Sequence, residues 1–106
     1  MKIIVNNIIP FKGFAAINLF GFLFVRKGVT VTARMIRHET IHTKQMQDLL
    51  FVFFYAFYIF EWLVKLCFYG KQAYRNISFE REAYSNEADT CYLVTRKHFA
   101  FLKYIF

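Results

Sequence analysis

The sequence contains few residues that interrupt helices. One proline and four glycines occur in 106 residues, and neither type lies between Thr32 and Tyr69. The proline and three of the glycines fall within residues 2–30, where the segment AINLFGFLFVRKGVTVT is rich in β-branched and aromatic residues. Such composition with glycine turns is typical of short strands. We therefore predict two or three short antiparallel strands within residues 1–30 and helices in residues 31–106, as one α+β domain.

Cysteine is also scarce. Cys67 and Cys91 are the only two, and they do not form a CxxC pair. This excludes a disulfide scaffold and fits a reducing compartment, so a cytoplasmic location is expected. Both cysteines are predicted to be buried apolar side chains.

Acidic residues are half as frequent as basic ones, seven against fourteen, which gives a net charge of +7. A basic excess suits anionic membranes or nucleic acids. No cluster of five Lys or Arg and no nucleic-acid motif is present, which favours a peripheral membrane surface over nucleic acid. The chain is also 58% hydrophobic and 22% aromatic. Some of this apolar surface is therefore expected to face a partner or lipid. The oligomeric state is left open.

No uncharged apolar run has the length of a bilayer span. The longest is LLFVFFYAFYIF, residues 49–60, and extending it to Phe68 includes Glu61 and Lys65. A span needs about 20 apolar residues, so a core or interfacial helix is favoured, with an integral membrane protein as the alternative. The helix carries two stripes. One is Tyr55, Tyr58, Trp62, Lys65 and Tyr69; the other is Phe53, Phe57, Phe60, Val64 and Phe68. The Tyr/Trp/Lys stripe is predicted to face either solvent or a membrane interface.

Helix boundaries follow from caps and length. Thr30 or Thr32 can cap the first helix, and one continuous helix from there to Tyr69 would be about 57 Å long. A reversal is therefore predicted near residues 47–48, with Gly70 ending the second helix. The segment KQAYRNI is predicted to be a loop, and Ser78 to cap a third helix that runs to about Lys97.

The segment RMIRHETIHTKQ holds the clearest chemical pattern. His38 and His42 are four residues apart and share one helix face, so both imidazoles can reach one metal ion. Glu39 follows the first histidine and can act as a general base beside a metal-activated water. The alternative is a solvated polar helix face. A hydrolytic zinc site also needs a third protein ligand. Downstream candidates are Glu80, Glu82, Glu87, Asp89 and His98.

The segment SFEREAY resembles the second signature of gluzincin metallopeptidases. Its Glu80-Arg81-Glu82-Ala83 has the E-x-x-A form. This resemblance implies that Glu80 is the third zinc ligand and that Ala83 lets its helix approach the histidine helix. Glu87 ranks second as ligand and Glu82 third, because Glu82 is predicted to face outward. At Tyr84, where the family often has Asp or Asn to brace a histidine, the match ends.

The order of elements is similar to that of the smallest gluzincins. The resemblance implies a zincin-like fold, a Zn²⁺ cofactor and peptide hydrolysis, with a sheet edge that pairs with an extended substrate. The alternative is a non-catalytic module that is stabilised by zinc and binds a membrane surface or a protein. Minor candidates are His98 as proton donor or ligand, and Tyr74, Arg75 and Asn76 as oxyanion donors. Arg34 and Arg37 are predicted to be solvated.

Overall fold

The computed structural model describes residues 2–6 and 16–105, so Pro10 and Gly13, which belong to the predicted strand region, lie outside the described residues. The described residues form an α+β fold in which a small sheet precedes three main helices, as predicted. The strands are β1 (Lys2–Asn6), β2 (Ala16–Leu19) and β3 (Phe22–Arg26). The helices are α1 (Ala33–Asp48), α2 (Val52–Tyr69), α3 (Ala73–Asn76), α4 (Ser78–Asn86) and α5 (Tyr92–Thr95).

The sheet is mixed, with strand order β1-β3-β2. The β2–β3 pair is antiparallel, as predicted, whereas β1 pairs with β3 in parallel. Phe20 and Gly21 connect β2 to β3, both with positive φ, which is the backbone that a tight hairpin requires. Strand β2 covers one edge of β3, and β1 pairs with the other edge in the same direction as β3. The sheet of the described residues therefore ends at β2 on the side of the helices.

Asn18 joins the sheet to α1. Its side-chain amide donates to the backbone oxygen of Glu39 at 2.7 Å and to Thr43 Oγ1 at 2.8 Å. The Gly21 amide donates back to Asn18 Oδ1 at 3.0 Å. Asn18 is buried, so these bonds form away from water, where they hold a fixed geometry. Strand β2 is thereby held beside the helix that carries the histidine pair.

The predicted helix starts and stops are confirmed for α1 and α2. Thr32 caps α1, its hydroxyl accepting from the Met35 amide at 3.1 Å. The chain reverses after Asp48 through Leu50 and Phe51, which both have positive φ. Helix α2 then ends at Gly70, whose φ of 53° is favoured in glycine.

Three predictions about the third helix were wrong. Residues 70–76 are a 3₁₀ turn followed by α3, not a loop. Ile77 occupies the cap position of α4, and Ser78 instead donates its amide to Glu61 Oε2 at 2.6 Å and its hydroxyl to Glu61 Oε1 at 2.5 Å. Helix α4 ends at Asn86 rather than near Lys97. Asn86 at the end of the helix and the following Asp89 and Thr90 favour turns, and the turn lets the chain fold back toward α4.

The direction predicted for the Tyr/Trp/Lys stripe of α2 was also wrong for its best-buried members. Tyr55 and Tyr58 pack against the core cluster of Met46, Phe54, Ile77, Phe79 and Phe101. Lys65 is only 5% exposed and donates to the backbone oxygens of Asn76 and Ile105 at 2.7 and 2.6 Å. The phenylalanine stripe points outward instead. The polar tips turn inward because buried carbonyl and carboxylate oxygens need donors.

One described helical stretch, Val52–Asn86, is long and apolar enough to cross a membrane by length and composition alone.

Candidate metal centre

The histidine pair lies on the buried face of α1. His38 and His42 are 8% and 5% exposed, and their ring centroids are 4.9 Å apart. The i,i+4 spacing brings the two side chains to the same side of the helix, and α4 packs opposite them. The alternative of a solvated polar face is therefore excluded for these two residues.

Three donor atoms meet at this point. His42 Nε2 lies 3.2 Å from Glu80 Oε1 and 3.2 Å from His38 Nε2. His38 Nε2 lies 3.3 Å from the same Glu80 oxygen. All three residues are buried, and their ligand atoms lie within 4.8 Å of one another. This buried His-His-Glu group could hold a metal ion.

The spacing fits a first-row divalent ion. Ligand atoms at about 2.0–2.1 Å from a tetrahedral zinc ion are roughly 3.3 Å from one another. The three observed separations are 3.2, 3.2 and 3.3 Å. Two imidazoles and one carboxylate are also a donor set that zinc uses in open, three-ligand sites. The donors therefore fit such an ion without rearrangement.

Both imidazoles have a partner on the opposite ring nitrogen. His38 Nδ1 lies 3.1 Å from Glu87 Oε1, and His42 Nδ1 lies 2.8 Å from Gln45 Oε1. Gln45 is oriented because its amide donates to the Phe79 backbone oxygen at 2.9 Å. Acceptors at both Nδ1 atoms favour the tautomer whose Nε2 lone pair is available to a metal.

The Glu80 carboxylate is held by a tyrosine. Tyr58 donates its hydroxyl to Glu80 Oε2 at 2.7 Å, which leaves Oε1 toward the histidines. Burial disfavours the charged carboxylate, but His42 and hydrogen bonds from His38, His42 and Tyr58 lower the pKa of Glu80 below its usual range. Glu80 is therefore an anion and suited to bind a cation.

The pKa of His42 is shifted by the same contact with Glu80. Burial lowers its pKa, but the adjacent Glu80 carboxylate, together with Glu39 and the hydrogen bond to Gln45, outweighs burial and raises the pKa of His42 to about 9. A proton and a metal ion compete for the same nitrogen lone pair.

Glu39 lies at a cleft beside the three donors. The cleft has a volume of about 280 Å³, and its lining includes Glu39, His42, Glu80, Tyr74 and strand β2. Burial raises the pKa of Glu39, an effect that the two histidines oppose and Glu80 reinforces. A carboxylate with a raised pKa is better suited to accept and return a proton near neutral pH.

Glu82 lies elsewhere, and the prediction that it faces outward was wrong. It is 0% exposed and accepts from Arg96 Nε at 2.6 Å and from the Tyr92 hydroxyl at 2.7 Å. The turn after α4 brings these two donors back against the helix, which covers the face that periodicity assigned to solvent. Glu87 contacts His38 at Nδ1 and is not one of the three residues whose donor atoms converge. Asp89 is exposed and accepts from the Cys91 amide.

Tyr84 does not take the bracing role. The rings of Tyr84 and His38 are T-shaped with centroids 4.5 Å apart, and the Arg75 guanidinium lies over the Tyr84 ring, 3.8 Å from its centroid. The residue that hydrogen-bonds His38 and orients its ring is Glu87, about one helical turn after Tyr84. Two spacings in the sequence could have indicated these partners of the histidines. Glu87 lies on the same helical side as Glu80, and Gln45 lies three residues after His42.

The minor candidates are distributed around the fold. His98 is exposed and bonds Asp48 at 2.9 Å, away from the donors. Asn76 bonds Arg81 at 2.7 Å. Arg34 is exposed but pairs with Glu87 at 2.7 Å, and Arg37 donates to the Glu87 backbone oxygen at 2.8 Å, so neither is simply solvated. Cys67 and Cys91 are exposed, which contradicts the prediction that they are buried.

Comparisons with protein-family models, with curated proteins and with solved structures found no match to this chain.

Proposed function

We propose that this protein is a zinc-dependent hydrolase that cleaves peptide bonds, with His38, His42 and Glu80 as ligands and Glu39 as general base. The observation that carries the proposal is the convergence of three buried donor atoms at a cleft that Glu39 also lines. A purely structural zinc site has four closed protein ligands and needs no base. Here the described residues bring three donors together beside a carboxylate, which is the open arrangement used in catalysis.

The ion would supply Lewis acidity, polarising a carbonyl and lowering the pKa of a water molecule to near neutrality. Glu39 holds a proton taken from the attacking water and returns it to the leaving amine. Its raised pKa favours both steps near neutral pH. Glu80 keeps its Oε1 aimed at the histidines because Tyr58 holds Oε2. Gln45 and Glu87 keep the imidazoles in the ligating tautomer.

Strand β2 supports a peptide as the substrate. Residues 16–19 line the cleft together with Glu39 and His42, and β2 ends the sheet of the described residues on this side. An extended peptide can add to such an edge through backbone hydrogen bonds. A peptide bound beside β2 would present its backbone carbonyl groups toward the cleft.

Metal content and hydrolysis of a peptide library test the proposal. The purified protein should carry about one zinc per chain, as a single three-ligand site implies. Glu39→Gln should keep the metal and lose hydrolysis, since it removes the base and not a ligand. Glu80→Gln should weaken zinc binding by more than the roughly 10- to 100-fold typical of outer-shell changes.

Asp89→Asn is the matched control, because this exposed carboxylate accepts from the Cys91 amide and is not one of the three donors, and it should change neither property. A protein that stays metal-free after incubation with zinc would refute the site. A protein that binds zinc through these ligands yet hydrolyses nothing in the library would identify the non-catalytic, zinc-stabilised module instead.

A further inference from the structure

Helix α2 presents an apolar face that nothing in the described residues covers. Beyond its first residue, six apolar side chains are more than half exposed: Phe53, Phe57, Ile59, Phe60, Leu63 and Phe68. We call this set the outer face of α2. The helix has 18 residues, which corresponds to about 27 Å of length. A contiguous apolar surface of this size marks a site of interaction with a protein or a membrane.

The charged residues of α2 are turned away from the outer face. They are Glu61 and Lys65, and no other residue between Val52 and Tyr69 is charged. Lys65 is buried and bonds two backbone oxygens. Glu61 accepts the amide and hydroxyl of Ser78. The outer face therefore carries no charge, although the sequence of the helix does.

The apolar surface continues past the helix. A groove of about 530 Å³ separates α2 from the C-terminal segment, and its lining includes Phe60, Val64, Phe99 and Leu102. Phe99 and Leu102 are 45% and 56% exposed. The exposed apolar surface is thus a broad patch that includes both α2 and the C-terminal segment. The exposed Lys97 and Lys103 are close in sequence to the residues at its edge.

The exposed charge of the described residues is almost entirely basic. Of the seven acidic residues, only Asp89 is exposed; the other six are buried or half-buried. The exposed basic residues are Lys2, Lys27, Arg34, Lys44, Lys71, Arg75, Lys97 and Lys103. Two copies of this chain would bring like charges together, whereas anionic lipid headgroups would meet opposite charge. The charge therefore favours a membrane over a second copy as the occupant.

We propose that the outer face of α2 docks into the surface of an anionic lipid bilayer, with the helix axis in the plane of the membrane. The outer side chains would enter the upper acyl region, and the surrounding lysines would contact the headgroups. The inner side of α2 packs on the core and holds Lys65 and Tyr58 against polar partners. That side is occupied by protein, so only one side of the helix is available to lipid.

Vesicle flotation and the fluorescence of Trp62 test the proposal. Trp62 is the only tryptophan, lies on α2 and is 40% exposed, so it reports on the environment of this helix without labelling. The protein should float with vesicles of phosphatidylglycerol and phosphatidylcholine in equal parts, and far less with phosphatidylcholine alone or in high salt. Trp62 should be quenched more by lipids brominated near the top of the acyl chain than by lipids brominated near its end.

Paired substitutions locate the surface. Phe60→Glu with Phe68→Glu should reduce vesicle binding by roughly tenfold or more, since two exposed apolar anchors become charged. Val94→Glu is the matched control, because Val94 is 88% exposed, lies on α5 and does not line the groove beside α2, so binding should change little. Circular dichroism and thermal unfolding verify that each variant folds. If the double variant of Phe60 and Phe68 does not fold, the single variant Phe57→Ser is used in its place.

Four results would overturn the proposal. They are absence of flotation at low salt, equal loss of binding in the Val94 variant, strongest quenching near the bilayer midplane, and a dimer that the paired substitution dissociates. Midplane quenching would mean a spanning helix, and a dissociable dimer would mean that a second copy covers the face. Zinc content is expected to be unchanged in the paired variant, so failure here and failure of the proposed hydrolase are distinguishable.

Discussion

Replacing Glu82 by glutamine should destabilise the fold while leaving the zinc stoichiometry unchanged. The Glu82 carboxylate is 0% exposed and accepts four hydrogen bonds. Arg96 donates from Nε at 2.6 Å and from Nη2 at 3.2 Å, the Tyr92 hydroxyl donates at 2.7 Å, and Gln45 Nε2 donates at 3.0 Å. This arrangement fastens the segment after α4 to the helix itself.

The expected loss of unfolding free energy follows from the hydrogen bonds that a glutamine at position 82 cannot accept. Its amide nitrogen would replace one carboxylate oxygen and face donors, so about two of the four bonds are lost. The Arg96 guanidinium, 4% exposed, would then be balanced by Asp48 alone, at 2.9 Å. Removing one partner of a buried ion pair costs about 3–5 kcal/mol. Because Asp48 remains, we expect about 3 kcal/mol, a large fraction of the roughly 5–15 kcal/mol that holds a domain folded.

Urea unfolding in the presence of a chelator measures this directly, because metal removal separates fold stability from ligand binding. The Glu82→Gln midpoint should fall well below that of the parent, and the thermal midpoint should drop by roughly 10 °C or more. Asp89→Asn, at an exposed site, should stay within about 0.5 kcal/mol of the parent. If Glu82→Gln unfolds at the same urea concentration as Asp89→Asn, the carboxylate is not a structural partner of Arg96. If it loses zinc instead, the ligand assignment is wrong.

Three further predictions concern the residues around the site and the core. Glu87→Gln should weaken zinc binding by roughly 10-fold or more in chelator competition, since His38 loses its anionic brace; unchanged affinity would contradict that role. Although burial opposes it, hydrogen bonds from His98, Phe99 and Arg96 lower the pKa of Asp48 from its usual 3.8. The stability that this carboxylate contributes is present above about pH 4 and is lost as pH falls further. The urea midpoint of Asp48→Asn should therefore fall less than that of the parent between neutral and acid pH. Parallel plots of midpoint against pH for the two proteins would contradict this. Lys65→Met should cost about 2–3 kcal/mol, because two backbone oxygens lose a charged donor, and an unchanged thermal midpoint would refute it.

The part of the site that sequence could predict is the part that local geometry determines. His38 and His42 share a face because they are four residues apart on a helix. Glu80 and Ala83 share a side of α4 because they are three apart, and Ala83 is 0% exposed. The caps at Thr32 and Gly70 likewise follow from the preferences of single residues. Each of these inferences needs no knowledge of where distant segments lie.

The part that sequence could not predict depends on long-range contacts. Periodicity alone places Glu82 on the solvent side of α4, since a charged residue opposite Glu80 is ordinarily exposed. It is buried only because Arg96 returns to it after a turn, fourteen residues later. The tautomer-setting role of Glu87 likewise requires the end of α4 to reach across to His38 on α1. Helical spacing places Glu87 on the side of Glu80, but it does not show which residue of another element either side chain meets.

The same dependence explains why Tyr55, Tyr58 and Lys65 of α2 point inward, against the prediction for their stripe. Among the described residues, eight buried polar or charged side chains share the interior with eleven buried hydrophobic ones. Buried polar groups need partners, and Tyr58 and Lys65 on α2 supply donors to Glu80 and to backbone oxygens. A small domain has limited interior volume, so the side chains that hold the polar site displace phenylalanines from it. The apolar outer face of α2 is therefore a physical consequence of building a buried polar centre into a short, 58% hydrophobic chain, and no described residue covers that face.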